Sequence, residues 1–191
     1  MARPCSGESA GREVATVVGF DVEEVLRRLA TGELGPCGGG RFHIDRHGTW
    51  SFEGSPIRRP ELVRLFARAL HRAPDGRHWL ITPHERLPVE VEDTPFRAVA
   101  VHRACVGDGD PVIRFRTDVE EEVVLSPAHP LRLEPDGRGG VRPALVVRRG
   151  LLARLLRPVY YQLAEWAEPD EKGRYGVHSA GAFFPLEPET A

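Results

Sequence analysis

Two arginine pairs, Arg58-Arg59 and Arg148-Arg149, are the residues of this chain best placed to do chemistry. Each pair reads as the point where a strand hands over to a helix. Free backbone N–H groups, the positive end of a helix dipole and a guanidinium fork would together suit an anion there. The plainer alternative is that each arginine holds a carboxylate of the neighbouring part of the chain, such as Glu92 or Asp93, since structural pairs of this kind are common. Trp50 and Tyr160, with Tyr161 and Phe183, could line an apolar pocket nearby, although aromatic residues more often form plain core. The expected ligand-binding set is therefore Arg58, Arg59, Arg148, Arg149, Trp50 and Tyr160, with Arg59 and Arg148 at a cleft.

Other polar groupings carry less. His43, Asp45 and His47 alternate, so a strand would put them on one face, as a divalent metal could use. Asp45 and His47 fall at a hairpin end, where polar residues are ordinary, and no metal site is expected. His178-Ser179 invites a hydrolase reading, but the context lacks the G-x-S-x-G elbow. Neighbours on a strand also face opposite ways, so this His cannot act as base for this Ser. Glu90 and Glu92 share a face, as paired carboxylates in an acid–base site would; a solvated strand face is the better account of them.

These residues need elements to position them. Ile57 to Phe66 and Val147 to Leu156 read as copies: a β-branched residue, an arginine pair, a helix opener and an amphipathic run. The pattern predicts a duplicated strand–helix–strand unit and an α+β fold of two lobes with mostly antiparallel sheets. The boundaries are a disordered tail at 1–13, an N-terminal lobe at 14–95, a C-terminal lobe at 96–187 and a tail at 188–191. Asp21 and Glu24 frame a short first helix as a capping box. Gly35 to Gly40 is a flexible link; it lacks the Lys-Ser/Thr ending of a phosphate loop. Arg41–Asp45 and Thr49–Glu53 form a hairpin about His47-Gly48. A helix starts at Pro60 and runs to about His71, with Leu62, Leu65 and Phe66 toward the core. Further strands follow at 78–82, 87–92, 96–106 and 111–117, with turns at 106–110 and 136–140. A second helix over Leu151–Trp166 should kink near Arg157, because Pro158 lies in its middle. Gly176–Leu186 holds one final strand.

Composition sets the outer limits. The 191 residues carry 41% hydrophobic and 28% charged residues and a net charge of −2, ordinary for a soluble protein. The charge gives no basic excess for nucleic acid. No apolar run approaches the ~20 residues of a membrane helix, and the first residues lack a signal-peptide core, so the expected location is cytoplasmic. Lys172 is the sole lysine among 26 basic residues, a bias of GC-rich bacterial genomes. Cys5, Cys37 and Cys105 lack metal or redox spacing and are read as unpaired thiols.

Several motifs in order resemble a bacterial family, domain-of-unknown-function family 1285. They include His47-Gly48-Thr49-Trp50, Gly54-Ser55-Pro56-Ile57, Val91-Glu92-Asp93-Thr94-Pro95-Phe96, Phe115-Arg116-Thr117, His129-Pro130-Leu131-Arg132, Tyr160-Tyr161-Gln162-Leu163 and Phe183-Phe184-Pro185-Leu186. The resemblance covers about residues 35–187. It implies a two-lobed α+β protein with repeated motifs; it brings no activity and leaves a ligand-binding or signalling role open. The leading functional reading is a non-enzymatic module that holds a small anionic ligand or an acidic peptide between its lobes, with no cofactor, nucleic acid or membrane. The alternatives are a hydrolase with carboxylates or Ser179 in the cleft, and an adaptor that binds a partner protein through a sheet edge.

Overall fold

Alternating burial makes most of the molecule strand. In Leu151–Leu155, residues 151, 153 and 155 are buried while Leu152 and Arg154 are half-buried, the period of two that a sheet imposes. The computed structural model describes residues 22–105, 111–135 and 140–187. The expected tails at 1–13 and 188–191, the Asp21 cap, Cys5 and the turns at 106–110 and 136–139 lie outside the described residues.

The first half holds α1 (Val22–Ala30), β1 (Phe42–Ile44), β2 (Trp50–Phe52), β3 (Ser55–Pro56), α2 (Pro60–Arg68), β4 (Leu70–Arg72), β5 (His78–Ile81) and β6 (Arg86–Val91). The second holds β7 (Phe96–Cys105), β8 (Pro111–Thr117), β9 (Glu122–Val124), β10 (Leu131–Pro135), β11 (Val141–Arg148), β12 (Leu151–Leu155), α3 (Arg157–Ala164), β13 (Glu168–Pro169), β14 (Tyr175–Ser179) and β15 (Ala182–Pro185). The fold is α+β and mainly antiparallel. One six-stranded sheet runs β3-β2-β1-β6-β5-β4, a second runs β9-β8-β7-β12-β11-β10, and β13-β14-β15 form a third. The two large sheets thus repeat one strand order. In each, the central pair is parallel, β1 with β6 and β7 with β12, and the other neighbours are antiparallel.

This repeat is one of sheet topology and differs from the strand–helix–strand unit expected from residues 57–66 and 147–156. The first of those segments enters α2; the second is the end of β11, a two-residue turn and β12. Arg149 and Gly150 have φ of 44° and 75°, which closes a tight hairpin with the twist of its strands. The expected second helix therefore starts later, as α3, and Pro158 lies in its first turn. There the missing N–H has no intrahelical partner to lose, so the proline starts a helix where a kink was expected. The single strand expected over Gly176–Leu186 is likewise a hairpin, β14–β15, turned by Ala180 and Gly181 at φ 50° and 74°. The β2–β3 turn uses Glu53 and Gly54 at 48° and 76°.

Helix α2 ends at Arg68, short of the expected His71, which lies in β4. Leu62 and Leu65, expected in the core, are 37% and 58% exposed, while Val63, Phe66 and Ala67 pack inward. One apolar cluster runs without a break from Ile44 and Trp50 of the first sheet to Phe96 and Phe115 of the second and to Val159 and Leu163 of α3. A smaller cluster seats α1, through Leu26 and Leu29, on Trp79 and Ile81 of β5. Residues 79 and 81 alternate with Leu80, which faces the larger cluster, so β5 carries apolar residues on both faces. Cys37 is disulfide-bonded, where an unpaired thiol was expected; its partner lies outside the described side chains. No helix among the described residues is long and apolar enough to cross a membrane.

Candidate functional site

Cross-strand neighbours share a face. Phe52 pairs with Phe42 in the β1–β2 ladder, and Leu80 pairs with Leu87 in the β5–β6 ladder. Phe42 stands level with Val89 across the parallel β1–β6 seam, so Phe52, Phe42, Leu87 and Leu80 cover one face of the first sheet. Helix α2 supplies Leu62 and Phe66 opposite this face. The Phe42 ring centroid lies 4.9 Å from that of Phe52 and 4.9 Å from that of Phe66, the latter edge to face. Between helix and sheet remains a cavity of about 460 Å³, open to solvent, with Gly39, Thr82 and Glu85 among its lining.

A glycine strap forms one wall. Cys37 exchanges two backbone hydrogen bonds with Arg86, of 2.9 and 2.8 Å, and the Arg41 N–H donates to Glu53 Oε1 at 2.6 Å. Between these pins, Gly38 and Gly40 hold φ of 111° and 109°. A Cβ at 40 would overlap the Phe52 ring, and one at 38 would press on Leu87. Gly39 instead faces open space. The strap is therefore glycine both for its left-handed backbone and for its close approach to the cavity wall.

A second, polar cleft of about 520 Å³ separates α2 from the second sheet, lined by Arg64, Arg68, Glu120, Glu121 and Arg148. Its charges are mostly matched internally. Arg64 pairs with Glu120 at 2.7 Å. Arg148 lies 3.4 Å from Glu121 and donates through Nη2 to the Ala67 carbonyl at 2.7 Å, capping the C-terminal turn of α2. Its guanidinium stacks 5.3 Å from the Phe96 ring, and its buried Nη1 has no acceptor among the described residues, so the ring is the partner they leave to it.

The expected set does not converge. Arg59 is the exposed N-cap residue of α2, whereas Arg148 meets the other end of that helix; nine residues of helix separate them by about 13 Å. Arg148 precedes a hairpin turn and no helix, so the dipole argument fails for it. Arg58 borders a hollow of about 240 Å³ with Asp118 and Glu120. Arg149 Nη1 donates to His71 Nδ1 at 3.3 Å and lies 3.8 Å from Glu23. Trp50 is 2% exposed, a core residue. Tyr160 is half-buried and donates to the Leu186 carbonyl at 2.9 Å.

The other groupings are structural. Asp45 Oδ1 accepts the His47 and Thr49 N–H groups at 2.8 Å each, and His43 lies 3.2 Å from Glu92. No cluster of three metal-binding side chains occurs among the described residues. Ser179 is fully buried; its hydroxyl donates to the Leu125 carbonyl at 2.7 Å and accepts the Ile113 N–H at 2.9 Å. It thus ties β14 to β8 and does not reach the cleft that the hydrolase alternative gave it. Asp93 takes a two-pronged contact from Arg154, of 2.9 and 2.8 Å, which holds its carboxyl below the usual range. Glu92 is held low by Arg46. Sequence reasoning missed Phe42, Phe52 and Phe66, which come from three elements and no motif. The signal available was the glycine run beside an aromatic hairpin.

Residues 35–94 match the family model described as "Domain of unknown function (DUF1285), N-terminal domain", and residues 95–186 match "Protein of unknown function (DUF1285), C-terminal domain". The crystal structure of a DUF1285 family protein from Silicibacter pomeroyi DSS-3 is 39% identical over 76% of this chain and 78% of its own, with a TM-score of 0.69. A second, from Shewanella baltica OS155, is 28% identical over 65% of this chain and 90% of its own, with a TM-score of 0.52. No curated protein matches the chain.

Proposed function

The chain belongs to the DUF1285 family, and from its geometry we propose that it is a non-catalytic module binding a small molecule with an apolar body. The observation that carries this reading is the solvent-open cavity of about 460 Å³ between α2 and the first sheet, walled by three phenylalanines and three leucines. Its size and lining fall within the usual range of small-molecule sites, about 300–1,000 Å³ and predominantly apolar. Phe52 and Leu62 of its lining stay exposed, an arrangement that favours an apolar guest.

An anion in the polar cleft is the second reading, favoured by Arg68, which is exposed and makes no ion pair among the described residues. The paired Arg64 and Arg148 and the negative end of α2 weigh against it. The test is ligand-observed NMR and thermal shift with 3-phenylpropanol. The probe should bind and raise the melting temperature. Gly39→Leu, which puts a side chain into open space at the cavity wall, should abolish the effect while leaving the unliganded melting temperature nearly unchanged. Equal binding by this variant would end the cavity reading.

A further inference from the structure

We infer that the molecule in the apolar cavity carries a positive charge, as an amine or guanidine at one end of its apolar body, and that the Glu85 carboxylate receives it. This rests on the cavity reading above and names the class of ligand for the same site.

Among the described residues, Glu85 is the only charged one in the cavity lining, and Thr82 carries the only other polar side chain there. The Thr82 hydroxyl is already committed, accepting the Glu85 N–H at 3.0 Å within the β5–β6 turn. The Thr82 N–H donates to the Glu85 carbonyl at 2.9 Å, and Arg86 next along is bridged to Cys37. The Glu85 backbone is therefore fixed on both sides. Its side chain passes beside the strap, where a Cβ on Gly38 would lie 3.5 Å from its Cγ. Its carboxylate makes no ion pair or hydrogen bond among the described residues. The neighbouring guanidinium of Arg86 turns its Nε to the Gly35 carbonyl at 3.4 Å instead.

Four acids described above, outside this cavity, are paired: Glu92 with Arg46, Asp93 with Arg154, Glu120 with Arg64 and Glu121 with Arg148. Glu85 stands apart from them at the rim of an otherwise uncharged cavity. An anionic guest would meet a like charge with no cation in the lining to offset it. A cationic guest gains that charge, and the aromatic rings below suit either an apolar body or a cation. Because the carboxylate is solvent-exposed, the preference is modest and screened by salt.

The experiment uses one carbon skeleton with three ends: 3-phenylpropylamine, 3-phenylpropanol and 3-phenylpropanoate, titrated by NMR at pH 7.5 and low salt. The expected order of affinity is amine, alcohol, carboxylate, each step about two- to fivefold, the size of an exposed charge pair. Glu85→Gln should bring the three affinities together, and Glu85→Lys should reverse the order. Both variants should keep the wild-type melting temperature, since the carboxylate has no partner among the described residues. An amine that binds no tighter than the alcohol, or an order unchanged in Glu85→Gln, overturns the inference and leaves the cavity reading standing. Failure of all three probes to bind removes both.

Discussion

His71 is 8% exposed on β4 and accepts a hydrogen bond from a guanidinium. Burial, then Arg149 and Arg148, push its imidazole down to about 4; burial and Arg72 push His78 down to about 4 as well. Unfolded, each ring takes up its proton near 6.5. Between roughly pH 6.5 and 4 the unfolded chain therefore binds more protons than the folded one, and stability is lost as pH falls through that window. For His71 the full effect is about 3 kcal/mol. Urea unfolding at pH 7.5, 6.0 and 5.0 should show this decline, and His71→Gln should flatten it; a slope unchanged in that variant would remove His71 as its source. A second residue-scale prediction concerns Arg154, whose side chain is 14% exposed and bridges Asp93 and Glu134. Arg154→Ala leaves Asp93 with the longer contact to Arg142, at 3.6 Å, and should cost about 2 kcal/mol in chemical denaturation. A loss below about 1 kcal/mol would show the network to be incidental.

At the scale of elements, proline and glycine positions decide what the sequence pattern leaves open. Leu151 to Leu156 fits a helical stripe and a strand alternation alike. The arbiters are Gly150, whose φ of 75° starts β12 from a turn, and Pro158, which suits the opening turn of α3. Pro158→Ala should therefore destabilise by about 0.5–1 kcal/mol, through the freer unfolded chain. Stabilisation, as relief of a kink would give, would contradict the placement. Gly150→Ala should cost about 1 kcal/mol for the same left-handed backbone. Most strands were legible because core and solvent residues alternate, as along β6 and β8. The hairpins at Glu53-Gly54, Arg149-Gly150 and Ala180-Gly181 were not, because the familiar signal is Asn or Asp before the glycine. That miss turned a strand into a helix and placed Arg148 before a helix start, where the structure sets it before a hairpin turn and against the C-terminal end of α2. The cavity was illegible for another reason: Phe42, Phe52 and Phe66 meet only after β1, β2 and α2 have folded together.

For the whole molecule, the unbroken apolar cluster across both large sheets predicts a single unfolding transition. Arg148, which links the β11–β12 hairpin to α2 and to Glu121, tightens that union from its rim. Arg148→Ala should lower stability by roughly 2–3 kcal/mol and leave one transition in calorimetry; two resolved transitions in the wild type would contradict a shared core. The same strand order in both sheets also has a consequence in time. Each sheet closes at its centre by joining its first strand to its last, Phe42 to Val89 and then Phe96 to Ala153. The flanking hairpins are local and quick, whereas these central pairings wait for a long loop to close. On the ribosome, the first sheet acquires its last strand before any of the second has emerged. The chain can therefore mature one half at a time, with the apolar face that the second sheet later covers standing open in the interval.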